Sequence, residues 1–503
     1  MIPLAGTAAT ALPRPGAAGM AAAVDPAERG MPFVRNYSPA EWEHLTDQVD
    51  TYCILQDRQG VMAIGSSSGV LRYNGVSWQL VETANKSIAR DLAMDAAGRV
   101  YVAASNELGY LAPGPDGKVR YVSLLAHLPA KDRAFGEILR VYATPEGVYF
   151  QAEKHLFRWH NGRFTRWQAT TTFQRAFWVG SRLYVQEPGR GLSVLQGNAL
   201  QIVSRDTLFR GATVRAMLPL DDGTLFVATR DHGLYGFNGK DVRRLPGNAH
   251  AQAILNAVYN GVRLPDGRLA LATLAGGVLI TDARGDLLQV IDKNSGLARS
   301  TVHNVASDNG GGLWVALNKG VSRIDLASPF TRFNEHNGLP GFVQTLVRHN
   351  GALLAGTGEG FFRLVPGTSP GAPAGFHVIK EFDHRVLGLL SVGESLLISG
   401  SGGTHQYRNG KITRITPQGG TGLRLSGRYP GVVLLPDPHG LFILHREGDT
   451  WRNAGPVPGV PRAEAVTELP DGDLWVTTAA QGVYRVRYPA GAAGGGYQSL
   501  LQP

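Results

Sequence analysis

Apolar residues in this chain come in short runs broken by glycine. Leu313-Trp314-Val315-Ala316-Leu317 follows a Gly-rich turn and leads to Gly320-Val321-Ser322-Arg323-Ile324-Asp325. The same pattern returns at Asp222-Gly223-Thr224-Leu225-Phe226-Val227-Ala228-Thr229, then Gly233-Leu234-Tyr235-Gly236-Phe237. It returns again at Asp471-Gly472-Asp473-Leu474-Trp475-Val476-Thr477-Thr478, then Gly482-Val483-Tyr484-Arg485-Val486. Runs this short, rich in β-branched and aromatic residues and bounded by Gly, predict strands. Asn74-Gly75, Asn161-Gly162, Asn238-Gly239 and Asn409-Gly410 are hairpin signals, because a tight primed turn needs positive φ. No sustained helical period appears, so helix is expected to be minor.

The first-turn glycine recurs at Gly60, Gly98, Gly147, Gly180, Gly223, Gly267, Gly312, Gly351, Gly393, Gly431 and Gly472, about 41 residues apart. A second glycine follows in ten of the eleven units; the third carries Lys154-His155 there. A repeat of this length with several strands per unit predicts an all-β chain of eleven four-stranded blades, that is, a β-propeller. Eleven blades exceed a common single ring of about 4–8. The expectation is two consecutive propellers, with a seven-bladed ring over 33–325 and a smaller or incomplete one over 326–488. Phe33-Val34-Arg35-Asn36-Tyr37 is a candidate ring-closing strand. Residues 1–32 are expected to be a disordered leader or the remnant of a secretory signal, through Ile2-Pro3-Leu4-Ala5-Gly6 and Ala9-Thr10-Ala11. Residues 489–503 are expected to be a flexible tail.

Composition narrows the chemistry. The chain has 503 residues, 65 of them Gly, and a single cysteine, Cys53, which excludes an internal disulfide framework and any multi-Cys metal site. No apolar run reaches the roughly 18–20 residues of a membrane-spanning helix. The net charge is +9, yet the 40 Arg and 9 Lys are scattered without the basic runs of nucleic-acid tails, and no nucleic-acid partner is expected. There is no G-x-S-x-G elbow and no H-E-x-x-H helix, and the Gly-rich stretches carry no phosphate-loop Lys. No cofactor and no metal are predicted. Ser307 to Trp314 departs from a sialidase Asp-box, with Asn309 for Asp and Leu313 for Thr.

One column of residues stands out. Arg90, Arg140, Arg215, Arg385 and Arg424 lie seven or eight residues before the first-turn glycine, and Arg175 lies five before Gly180. Tyr52, Asn304, Gln344 and Glu464 stand near this position in other units. The start of the innermost strand borders the channel mouth of a propeller, so Arg90, Arg140, Arg175, Arg215, Asn304, Arg385 and Arg424 are candidate ligand-binding residues. Guanidinium groups bind carboxylate and sulfate bidentately, which favours an anionic or hydroxyl-rich ligand. The alternative is that these arginines bridge neighbouring blades through backbone carbonyls and buried acids.

The repeats resemble a known family. Gly312-Leu313-Trp314-Val315-Ala316 with Gly320-Val321-Ser322-Arg323-Ile324-Asp325 resembles the two-component-regulator propeller repeat. Asn294-Ser295-Gly296-Leu297 before Val302-His303-Asn304-Val305, and Asn337-Gly338-Leu339-Pro340 before Val343, are similar to its lead-in. Val34-Arg35-Asn36-Tyr37-Ser38-Pro39, Gln56 to Met62 and Gly69 to Gly75 resemble the opening of such sensor propellers, and the likeness covers about 33–488. The resemblance implies an extracytoplasmic ligand-sensing region of a bacterial signal-transduction system. In that family an Ig-like module, a membrane helix and an output domain usually follow; none is present in this sequence, so a sensor fragment, a truncated product or a free-standing binding protein is expected. The function so implied is non-catalytic binding of a small molecule or acidic glycan, in the periplasm or outside the cell, or in the cytoplasm if the leader is no signal remnant. The expected partners are that ligand and a membrane-bound signalling protein. The alternatives are a propeller lyase acting on a polysaccharide or lactone, and a protein–protein interaction platform.

Overall fold

The computed structural model describes residues 25–47, 50–487 and 498–500. They form an all-β propeller protein of eleven four-stranded antiparallel sheets, here called blades 1 to 11 in chain order of their innermost strands. Among the described residues helix is limited to Thr207–Gly211, His250–Leu255 and a few 3-10 turns, and no helix there is long and apolar enough to cross a membrane.

Each blade is a meander. Blade 1 runs Thr51–Gln56, Met62–Ser66, Gly69–Tyr73, Trp78–Val81 from inside to outside. The middle strands are apolar on both faces, because each sheet is covered by a neighbour on either side; Met62–Ser66 and Val100–Ala104 are buried throughout. The glycine opening the third strand has a steric cause. At Gly69, φ is +130° and a Cβ would sit 2.5 Å from the Val81 carbonyl oxygen.

The innermost strands of blades 1 to 7 follow one another in contact, and Val302–Ser307 of blade 7 returns to Thr51–Gln56 of blade 1. Seven apolar clusters fill the seven spaces between these blades. Blade 7 takes its outer strand from the other end of the chain: Phe33–Tyr37 pairs antiparallel with Val321–Asp325, Phe33 opposite Asp325 and Tyr37 opposite Val321. Tyr37 stacks on Trp314 at 5.1 Å and meets Tyr73 of blade 1 edge-on at 5.2 Å. The Asn36 side chain donates to the Gly296 carbonyl and accepts from Ala298 N–H and the Ser322 hydroxyl.

Blades 8 to 11 begin with Val343–His349, Val386–Val392, Arg424–Leu425 and Ala463–Glu468. Among the described residues three apolar clusters join these four blades in series. Phe342 and Leu346, at the start of blade 8, are 76% and 56% exposed, unlike their counterparts in the ring.

The ends of the chain depart from the sequence expectation. The segment read as a leader is bound into the fold at its far end: Met31 is buried and pairs with Arg332, Glu28 holds the Arg348 guanidinium at 2.7 and 2.8 Å, and the Arg29 carbonyl accepts from Ala374 N–H. This stretch ties the closing strand to blade 8, a long-range role that Ala/Gly/Pro-rich composition cannot reveal. The signal-like residues Ile2 to Ala11 lie outside the described residues. The tail supplies a strand at Gln498–Leu500, which pairs with Val483–Arg487 as the outer strand of blade 11. The exposed backbone of an edge strand provides the template.

Two outcomes follow. Tyr37→Ala removes the aromatic wedge between blades 7 and 1 and should cost about 3–5 kcal/mol, read as a lower urea midpoint together with faster amide exchange in Val302–Ser307 and Thr51–Gln56. Second, burial lowers the pKa of His155, His250, His349 and His405 below the ordinary value. The unfolded chain titrates these imidazoles near ~6.5, so it binds more protons than the folded chain just below that pH. Stability is therefore retained above about pH 6.5 and lost as pH falls through it. The melting temperature should be lower at pH 5.5 than at 7.5, and His405→Asn should narrow the difference.

Candidate functional site

The innermost strands of the ring share a defect that builds the site. In blades 1, 2, 3, 5, 6 and 7 the register slips after the first residue, so the second residue is bulged out of the ladder: Tyr52, Arg90, Leu139, Arg215, Tyr259 and His303. A bulge re-aims a side chain, and here it turns six of them to one mouth of the channel. Blade 4 has no slip at this point; Arg175 pairs with Gln186 and follows Gln174. All eight residues, with Glu137 and Arg140, line one cavity of about 180 Å³.

Aromatic rings order the cavity wall. Tyr52 and His303 stack across the seam between blades 1 and 7, with centroids 5.5 Å apart and planes at 10°. The imidazole Nδ1 of His303 lies 2.8 Å from the Thr51 carbonyl oxygen, so it carries the proton and donates. Tyr259 faces two guanidinium groups, Arg215 at 5.0 Å and Arg175 at 6.0 Å from its centroid. Arg90 lies 4.4 Å over Tyr52.

The four arginines divide by charge compensation. Arg140 pairs with Asp91 of blade 2 at 3.4 Å, both side chains nearly buried, and Asp91 also accepts from Val141 N–H. Burial pushes the Asp91 carboxyl above the usual carboxylate range, against the pull of the Arg140 guanidinium and of the backbone N–H groups. Arg140 thus bridges two blades, as the alternative reading of the sequence described. Arg90 donates to Glu137 at 2.9 Å, in a pair open to water. Arg175 and Arg215 make no ion pair among the described residues. Arg175 is 6% exposed, and its Nε and Nη2 have no hydrogen-bond partner; the Nε of Arg215 has none either. Burial draws the pKa of Arg215 down. Two positive charges in one cavity are left without an ion-pair partner among the described residues, a costly arrangement unless an anion joins them.

The remaining sequence candidates lie elsewhere. Asn304 follows the bulge of blade 7, is buried, and does not line the cavity; its neighbour His303 does. Arg385 precedes the inner strand of blade 9 and Arg424 lies in blade 10, both exposed and apart from this mouth. The column therefore belongs to two separate sets of blades. Tyr259, His303, Gln174 and Glu137 are polar residues of the cavity that sequence reasoning missed. Two of them had a signal. Tyr259 stands eight residues before Gly267, as Tyr52, Arg90 and Arg215 stand before theirs. In blade 7 the turn glycine with positive φ is Gly311, at +79°, not Gly312, and eight residues before it is His303. Among the described residues no group of three His, Cys, Asp or Glu side chains is placed to hold a metal ion.

No family model matches the sequence, and no curated protein matches it. Solved structures share its fold. The extracellular domain of the putative hybrid two-component system BT3049 from B. thetaiotaomicron aligns with a TM-score of 0.64 at 14% identity, over 90% of this chain and 65% of that one. The corresponding domain of BT4673 from the same organism aligns at 0.47 and 13%, over 91% and 66%. Virginiamycin B lyase from Staphylococcus aureus aligns at 0.44 and 13%, over 58% and 99%. The chain has the propeller fold of the first of these domains and spans about two thirds of its length.

The two acid–arginine pairs should respond differently to neutralisation. Asp91→Asn strands a buried guanidinium and should cost about 3–5 kcal/mol. Glu137→Gln, in a water-exposed pair, should cost under ~1 kcal/mol. Urea denaturation of the two variants checks the contrast.

Proposed function

We propose that the chain is the ligand-binding propeller region of an extracytoplasmic signalling protein. Its ligand is an anionic small molecule, or the acidic end of a glycan, held at the mouth of the seven-bladed ring. The observation that carries the reading is the Arg175 guanidinium, buried and aimed into the cavity beside Arg215 with two of its nitrogens unpartnered. A carboxylate or sulfate placed there accepts N–H groups from both arginines. Charge-assisted bonds of this kind contribute about 1.5–3 kcal/mol each. The fold shared with the extracellular domain of a two-component system supports a sensing role, with the signal passed to a membrane-bound partner. The site is then one of binding rather than turnover: Tyr259 holds Arg175 and Arg215 side by side, and His303 is fixed by its bond to Thr51.

Calorimetric titration with sulfate, citrate and D-glucuronate tests this at low ionic strength. The wild-type chain should bind at least one of them. The double variant Arg175→Ala/Arg215→Ala should bind it about 30-fold or more weakly. Its melting temperature without ligand should be equal or higher, because a buried uncompensated charge has been removed. Unchanged affinity in the double variant contradicts the assignment.

A further inference from the structure

The arginine cavity is too small for most ligands. At about 180 Å³ it lies below the ~300–1,000 Å³ typical of small-molecule sites. It accepts an acidic group and a few further atoms. The rest of the ligand can extend into a neighbouring cavity. A second cavity of about 440 Å³ opens beside the first, between blades 3 and 4, and the two share Glu137, Leu139 and Gln174 as a common waist.

The second cavity has the opposite electrostatic character. Its wall carries Glu153, an exposed carboxylate with no ion pair among the described residues. Glu137 reaches Arg90 through one oxygen, Oε1, and forms part of both walls. Phe135 and Phe173, both buried, add apolar surface, and Leu139 supplies an apolar crossing at the waist. From one end to the other the order is two guanidinium groups without an ion pair among the described residues, a waist of Leu139, Gln174 and the Glu137 that pairs with Arg90, then the Glu153 carboxylate. The nearest cation to Glu153 in the sequence, Lys154, does not line the crevice.

From this order we infer that the ligand is a small zwitterion: a carboxylate and an ammonium group separated by a short aliphatic chain. The inference rests on the anion-binding reading of the arginine cavity and deepens it. The carboxylate takes the N–H groups of Arg175 and Arg215, the methylenes cross Leu139, and the ammonium meets Glu153 in a crevice shielded by the two phenylalanines. Glu153 acts as the selectivity residue, and its contribution is modest because it keeps contact with water.

Calorimetric titration of the full chain with 4-aminobutyrate, 6-aminohexanoate and 8-aminooctanoate, each against the carboxylate of equal length without the amine, tests the inference. At low ionic strength the best of the three amino acids should bind about five times more tightly than its plain carboxylate. Glu153→Gln should erase that preference and leave the plain carboxylate unchanged, with an unaltered melting temperature showing that the variant is folded. Arg175→Ala/Arg215→Ala should weaken both. Equal binding of the two series to wild type, or a preference that survives Glu153→Gln, overturns the zwitterion and leaves the anion site standing. Binding of neither series overturns the zwitterion, and the anion site then stands or falls on the titration with sulfate, citrate and D-glucuronate.

Discussion

The mouth exists because Phe33–Tyr37 pairs with Val321–Asp325. Seven sheets that each need a neighbour on both faces are stable only as a closed ring, and the closing pair joins residues nearly three hundred positions apart. The entropy of that closure is offset at the seam itself. Tyr37, Trp314 and Ile54 share one apolar cluster there, and the Thr51 hydroxyl donates to the carbonyl of Leu317 at 2.8 Å and of Gly320 at 3.0 Å. The same seam is part of the binding wall. Tyr52 of blade 1 stacks on His303 of blade 7, and His303 reaches back to the Thr51 carbonyl. Closure and site therefore share atoms, and a ring that opens loses its mouth.

Within the closed ring, one backbone irregularity decides which residues are structural and which face a ligand. The bulged position points to the channel, and the residue after it faces the neighbouring blade. Asp91 and Asn304 stand directly after the bulge and are buried. In blade 3 the residue after the bulge is Arg140, long enough both to reach Asp91 and to show at the cavity wall. Arg90 and Arg215 occupy the bulged position itself. Two neighbouring places in one strand thus give arginine different duties: Arg140 pairs with the buried Asp91, Arg90 with the water-exposed Glu137, and Arg215 makes no ion pair among the described residues.

Much of this fold is legible in the sequence and the site only partly so. The repeat of glycines reveals eleven units because nearly all of them mark a backbone conformation that side chains resist, as at Gly69. Arg90, Arg140, Arg175 and Arg215 were found by counting back from those glycines, and the structure brings them to one cavity. The counting fails where the turn changes length. In blade 7 three consecutive glycines hide which one is left-handed, and choosing Gly312 over Gly311 moves the expected residue from His303 to Asn304. Nor does a repeat state which units share an axis, so Arg385 and Arg424, of blades 9 and 10, fall in the same column as residues of the seven-bladed ring. The binding of residues 28–31 to blade 8 depends on partners about three hundred residues away, and no local pattern announces it.

The account turns on two guanidinium groups that lack an acid partner among the described residues, Arg175 buried and Arg215 half-buried. Crystals of the protein grown in selenate, with anomalous differences measured at the selenium edge, locate an anion directly. The account predicts a peak in the mouth of the seven-bladed ring within hydrogen-bond distance of Arg175 and Arg215. A mouth without a peak, in crystals where selenate is ordered elsewhere on the protein, would contradict it.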